Sequence, residues 1–239
     1  MGKVRRAVSP NDMRHYLQGL SPRAEFVIVI ALAFGYFIVG SLVSVFWPAA
    51  RGAMSDARLG TLLGYELTLM ALLLPFLRMR GWTLERIGLR PDAVDTLIGI
   101  GLAVGAYLTF AFAYEIIADL WPQAAEAMRG PPVGSGSASP GLSLSAVVAV
   151  SVINPVFEEI FVCGYVVSAL RKRPDPWTGI NVSVAIRLLY HLYQGAIAAI
   201  FIVPFGLIFA IWYAWTGRLW PLIVAHALWD FIGLLHYVR

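Results

Sequence analysis

This sequence predicts an all-α membrane protein, a polytopic bundle of about seven transmembrane helices filling most of its 239 residues. Three observations predict it. The chain is 59% hydrophobic and only 13% charged, whereas a soluble domain is roughly 45–50% apolar and about 25% charged. Its apolar residues gather into runs of about 20, the length that crosses a hydrocarbon core of about 30 Å as helix. Its basic residues cluster between those runs, where membrane topology is written. The net charge of +4 is therefore read as orientation, and no nucleic-acid partner is expected.

The elements follow in order. Residues 1–25 are polar and basic, with Lys3, Arg5, Arg6, Arg14 and Arg23, and are expected in the cytoplasm. The run Phe26–Phe46 is too long for the apolar core of a signal peptide and reads as a retained anchor. Met1-Gly2 resembles a myristoylation start, but Arg6 stands where Ser or Thr is needed. Further spans are expected at Gly60–Leu77, Thr96–Leu120, Leu144–Leu170, Gly179–Gln194, Ala196–Trp215 and Leu219–Tyr237. The fifth is short, and a tight turn around Gly195 leads to the sixth. Trp47, Trp82, Trp121, Trp177 and Trp215 lie near span ends, as interfacial aromatics do. The longest connection, about Pro122 to Gly141, holds the run Gly130-Pro-Pro-Val-Gly-Ser-Gly-Ser and is expected to be flexible. The membrane-embedded part is thus 26–239, with no internal repeat, which counts against an inverted-repeat transporter.

Orientation comes from the loops. With the N-terminus inside, 13 of the 18 Lys and Arg residues fall on the cytoplasmic side and 4 outside, and Arg187 lies within a span. Seven spans would place the C-terminus outside. The single cysteine, Cys163, excludes an intrachain disulfide; with no evident activating partner, it reads as a packed thiol.

Ionisable side chains at membrane depth cost several kcal/mol and usually persist for function. The fourth run carries Asn154-Pro155-Val156-Phe157-Glu158-Glu159. Adjacent helical residues point about 100° apart, so the two carboxylates are not expected to face one site equally; one would work there while the other holds a neighbouring helix. Pro155 removes a backbone hydrogen bond and is expected to open local space. Arg187 and His191 are spaced i, i+4 on the fifth run, and His226 and Asp230 share that spacing on the seventh, so each pair lies on one face. Such groups converge naturally in a bundle core. By depth, the site should open toward the cytoplasm. Glu66 and Glu115 read as structural or pore-facing. Tyr190, Tyr193 and Gln194 read equally as site lining or span-end anchors.

Glu158-Glu159 with Gly164-Tyr165, then Tyr190-His191-Leu-Tyr-Gln194-Gly195, then Ala225-His226-Ala-Leu-Trp229-Asp230 resemble the three motifs of the Abi/CPBP family, bacterial relatives of the type II CAAX prenyl endopeptidases. The Gly81-Trp82…Gly88-Leu89-Arg90 loop is also similar to theirs. The resemblance implies an intramembrane glutamic protease in a bacterial inner membrane, with its protease-like core at about 144–230. Its partners would be the bilayer and a peptide or protein substrate, lipidated or not. Carried over by position, Glu158 would activate water with help from His191, and His226 and Asp230 would stabilise the oxyanion, with Glu159 and Arg187 in support. Burial makes a carboxylate more basic, which suits general-base work near neutral pH.

Three positions depart from the family pattern. Cys163 stands where the first motif ends in arginine, Arg187 where the second usually begins with phenylalanine, and Asp230 where the third often ends in asparagine. A charged aspartate only accepts hydrogen bonds, so Asp230 would orient His226, and Arg187 would supply Glu159 with the cation missing at Cys163. The family was once described as a metalloprotease. His226 and Asp230 could both be ligands, but no H-E-x-x-H run is present, and adjacent glutamates do not easily reach one ion. No metal and no cofactor are expected. The alternatives are a catalytically silent relative that acts as a membrane scaffold or immunity protein, and a transporter using the same ionisable groups.

Overall fold

A computed structural model describes residues 19–47, 54–129, 141–171 and 175–238. Lys3, Arg5, Arg6, Arg14 and the Gly130–Ser137 run lie outside the described residues. Each of the seven apolar runs coincides with a helix. α1 is Pro22–Phe46, α2 Asp56–Met79, α3 Ala93–Leu120 and α4 Pro122–Arg129. α5, Leu144–Glu158, runs through a π-helical segment, Glu159–Tyr165, into α6, Val166–Leu170. α7 is Trp177–His191, followed by a 3-10 turn, Leu192–Gln194; α8 is Ala196–Thr216 and α9 Trp220–Leu235. Among the described residues the only β pairing is an isolated parallel bridge, Leu142 with Val238.

The first three helices begin about a turn before their apolar runs. Ser21, Ser55 and Asp92 cap them, accepting from the backbone N–H of Ala24, Arg58 and Asp95. Such caps satisfy donors that the first helical turn leaves without partners. α4 departs from expectation, because it occupies the start of the connection read as flexible. Pro122 at its first position presets the helical backbone, and Ala125 N–H bonds the Trp121 carbonyl at 3.2 Å. Gly217, at φ 65°, ends α8 in the left-handed conformation that glycine adopts readily.

Among the described residues α1, α2, α3 and the composite Leu144–Leu170 are long and apolar enough to cross a membrane, and Ile200–Thr216 and Trp220–Leu235 are shorter apolar helices. α1 and α3 turn Val27, Leu32, Val39, Leu97, Leu108 and Phe112 outward, the surface that lipid covers. The composite helix is the centre of the bundle: 61% of its apolar stretch is buried, against 22%, 22% and 11% in α1, α2 and α3. α2 and α9 pack on α5, while α7 lies between α1 and α8. The helix pair α3 and α9 approach closely at Gly99, where a Cβ would lie 2.7 Å from the Pro221 carbonyl oxygen.

The loop after α2 is clasped from two sides. Glu25, buried on α1, accepts from Arg80 Nε at 2.5 Å, Trp82 Nε1 at 2.8 Å and the Tyr165 hydroxyl at 3.1 Å. On the other side Leu219 N–H bonds the Gly88 carbonyl at 3.0 Å, and Arg218 pairs with Asp95. This loop therefore ties α1 and α2 to the turn between α8 and α9.

Candidate active site

The site is assembled where α5 gives way to the π segment. Glu158 is the last α-helical residue and Glu159 the first of the π turns, whose wider i→i+5 bonding often marks functional sites. Pro155 does not break the helix. α5 continues through it, and the irregularity comes four residues later. Neighbouring helices supply hydroxyls to π-segment carbonyls: Ser183 to Val162 at 2.7 Å and Tyr213 to Gly164 at 3.2 Å. Extra donors of this kind allow irregular backbone at membrane depth.

Arg187 meets both glutamates. Its Nη2 lies 2.7 Å from Glu159 Oε1 and its Nη1 3.5 Å from Glu158 Oε2. The two adjacent carboxylates meet this one cation unequally, at 2.7 and 3.5 Å, and their other partners differ. The pairing of Arg187 with Glu159 is as expected from the sequence. Arg187 Nη2 is also 3.9 Å from Cys163 Sγ, so the cation occupies the space beside the residue that departs from the family's arginine. Phe205 and Phe209 flank it at 5.6 and 5.7 Å, where ring faces favour a cation. Gly206 between them leaves room, since a Cβ there would lie 3.3 Å from Arg187 Cδ.

The remaining groups divide between the two carboxylates. Glu158 Oε2 accepts from the Tyr190 hydroxyl at 2.5 Å, and its Oε1 from Asn154 Nδ2 at 3.2 Å. Tyr190 is held by the ring of Phe34 on α1, stacked at 5.0 Å. Glu159 Oε1 lies 2.7 Å from His226 Nδ1, and Asp230 Oδ1 lies 3.6 Å from His226 Nε2. At 3.6 Å the contact with Asp230 is within ion-pair reach but too long for a hydrogen bond. The orienting bond expected from Asp230 is made by Glu159 instead, because the π segment carries that carboxylate toward α9. His191 Nδ1 meets the Arg187 carbonyl at 3.0 Å. A carbonyl only accepts, so Nδ1 carries hydrogen and, in the neutral ring, Nε2 keeps a free lone pair.

A cavity of about 210 Å³ opens beside these groups, between α3, α7, α8 and α9. Its polar wall is Arg187, His191, Gln194, His226 and Asp230; Phe110, Phe201, Phe205 and Trp229 form apolar walls. Neither Glu158 nor Glu159 lines it, whereas Arg187, which pairs with both, does. The four expected catalytic positions and the two supporting ones thus lie in one cluster linked through Arg187 and His226. Glu115 forms no part of this cluster. Asn154, Tyr190 and Glu66 belong to the network, and the sequence offered only weak signals for them: a polar residue one turn before Glu158, a tyrosine beside His191, and a lone acid in an apolar run.

Glu158, Glu159 and His226 each offer a ligand atom within 4.8 Å of the others. Glu159 Oε1 faces two nitrogens at 2.7 Å, from Arg187 and His226, while Glu159 Oε2 has no hydrogen-bond partner among the described residues. A divalent cation held by these residues would stand beside the Arg187 guanidinium, which repels it and competes for the same carboxylates.

Residues 140–232 match the family model described as type II CAAX prenyl endopeptidase Rce1-like. No curated protein and no solved structure matches the chain.

Proposed function

We propose that this membrane chain, whose residues 140–232 match the type II CAAX prenyl endopeptidase model, is an intramembrane endopeptidase that uses Glu158 to activate water. The observation that carries this reading is a partly apolar cavity lined by His191, His226 and Asp230, with Glu158 beside it on Arg187, which lines the same cavity. Isolated charges in lipid are too costly to gather there without a task.

In this reading Tyr190, Arg187 and Asn154 fix the Glu158 carboxylate, leaving a lone pair for water. Glu158 takes the water proton, helped by the free Nε2 of His191, as hydroxide attacks the scissile carbonyl. His226 lies between two carboxylates; as the imidazolium it holds Glu159 through Nδ1 and offers its Nε2 proton to the oxyanion. Preorganised donors of this kind are typically worth several kcal/mol. The proton on Glu158 then passes to the leaving amine. Phe110, Phe201 and Trp229 offer an apolar wall for a hydrophobic side chain or a lipid on the substrate. The excess of basic residues in the proposed inner loops favours cleavage near the cytoplasmic face.

The test is cleavage of prenylated and unprenylated peptides by purified protein in lipid, with Glu158→Gln beside it. Loss of the base should lower the rate by about 10²–10⁴. A Glu158→Gln variant as fast as the parent chain would remove Glu158 from the chemistry.

One observation favours a second reading, a catalytically silent relative that holds a membrane partner. Arg187 pairs with both glutamates, and it lines the cavity where they do not. If this arginine is a lock, the parent chain should not cleave any of these peptides, and Arg187→Phe combined with Cys163→Arg should gain cleavage.

A further inference from the structure

Glu66 belongs to the network but has no role in the reading above. It sits on α2, before the matched segment begins, and its side chain is fully buried. Asn154 Nδ2 donates to Glu66 Oε1 at 2.6 Å and to Glu158 Oε1 at 3.2 Å. An amide nitrogen carries two hydrogens, and here one goes to each carboxyl. Ser151, Asn154 and Glu158 follow one another at i, i+3 and i+7, a polar stripe on a largely apolar helix. Glu66 Oε2 has no hydrogen-bond partner among the described residues. A buried acid kept only for packing would be expected to satisfy both oxygens; this one spends its single contact on Asn154.

We infer that Glu66 and Asn154 are positioning residues for Glu158. An asparagine amide can present either its oxygen or its nitrogen. Glu66 accepts from the nitrogen, which turns the NH₂ toward both carboxyls and fixes Glu158 Oε1 while Tyr190 and Arg187 fix Oε2. Without Glu66 the amide is free to turn its oxygen toward Glu158, where two acceptors repel. The inference rests on the peptidase reading, in which Glu158 is the base.

Glu66→Leu removes the acceptor at similar volume, and Glu66→Gln keeps an oxygen that can accept from Asn154. The leucine variant should lose about tenfold in kcat, the size of one orienting hydrogen bond, with KM unchanged because no contact with substrate is lost. Glu66→Gln should recover most of that loss. A second measurement does not need activity: the infrared difference between the parent chain and Glu158→Gln isolates the Glu158 carboxyl band. That band should move in Glu66→Leu and stay in Glu66→Gln. If Glu66→Leu fails to fold, Asn154→Ala, at a half-buried position, takes its place with the same expectations. Should the parent chain not cleave while the band moves, the peptidase reading fails and the positioning contact stands. A band unmoved by Glu66→Leu or Asn154→Ala overturns the inference, whether or not the parent chain cleaves.

Discussion

Between the carboxylates of Glu158 and Glu159, over the rings of Phe205 and Phe209, the Arg187 guanidinium is 2% exposed. Its removal leaves buried acids without a counter-ion, which costs about 3–5 kcal/mol when one partner of a buried pair is lost. Arg187→Ala should therefore lower thermal stability by that order. Cys163→Arg should return part of it, since the new side chain starts one turn from Glu159 and Cys163 Sγ already lies 3.9 Å from the Arg187 fork. A fully stable Arg187→Ala protein would refute this account of the pair. The same crowding of N–H donors around Glu159 Oε1 predicts that peptide cleavage survives exhaustive chelation; activity lost to a chelator and restored by zinc would favour metal-activated water. At this scale the sequence disclosed the ionisable residues, because each interrupts an apolar run, and it disclosed the Arg187–Glu159 pair by charge. It did not disclose the link from Glu66 through Asn154, whose partners lie 88 residues apart on different helices.

Among the elements, helices were legible wherever a run was apolar for about 20 residues, and their starts shifted only by the capped polar turns. The π segment was not legible. Its residues, Glu159–Tyr165, have ordinary helical composition, and the i→i+5 register depends on hydroxyls from Ser183 and Tyr213 on other helices. Glu158 and Glu159 keep separate partners, Tyr190 and Asn154 for one and His226 for the other, and share Arg187 across the junction. The loop at Gly88 makes an equally specific demand. Its φ of 74° and the Gly217 oxygen 1.7 Å from a built Cβ leave no space for a side chain. Gly88→Ala should part this loop from the α8–α9 turn and lower the melting temperature by several degrees or prevent folding; an unchanged melting curve would show that the contact is loose. Gly81, also at positive φ, is open to within 3.8 Å of Arg86, so alanine there should cost only backbone strain.

For the molecule as a whole, the distribution of basic residues predicts a cytoplasmic N-terminus. Reporter fusions after residue 1 and within the 130–140 connection should report opposite sides of the membrane, and the same side for both would reverse the assignment. The helices expected from the sequence recur in the described residues, whereas the closure of the bundle does not follow from any single run. It is made by small contacts between distant points: Leu142 N–H to the Tyr237 carbonyl at 2.8 Å, and Leu142, Val147 and Val150 packed with Leu234, Tyr237 and Val238. In mechanical terms this joint makes the two ends of the protein unequal. A pull on the C-terminus would load the Leu142–Val238 bridge first and then draw α9, with His226 on it, from both α3 and α5, away from the Glu25 clasp. A pull on the N-terminus meets that clasp first and leaves the pairing of α5 with α9 intact. Tension on the tail would therefore disconnect the histidine from the acids before the rest of the bundle gives way.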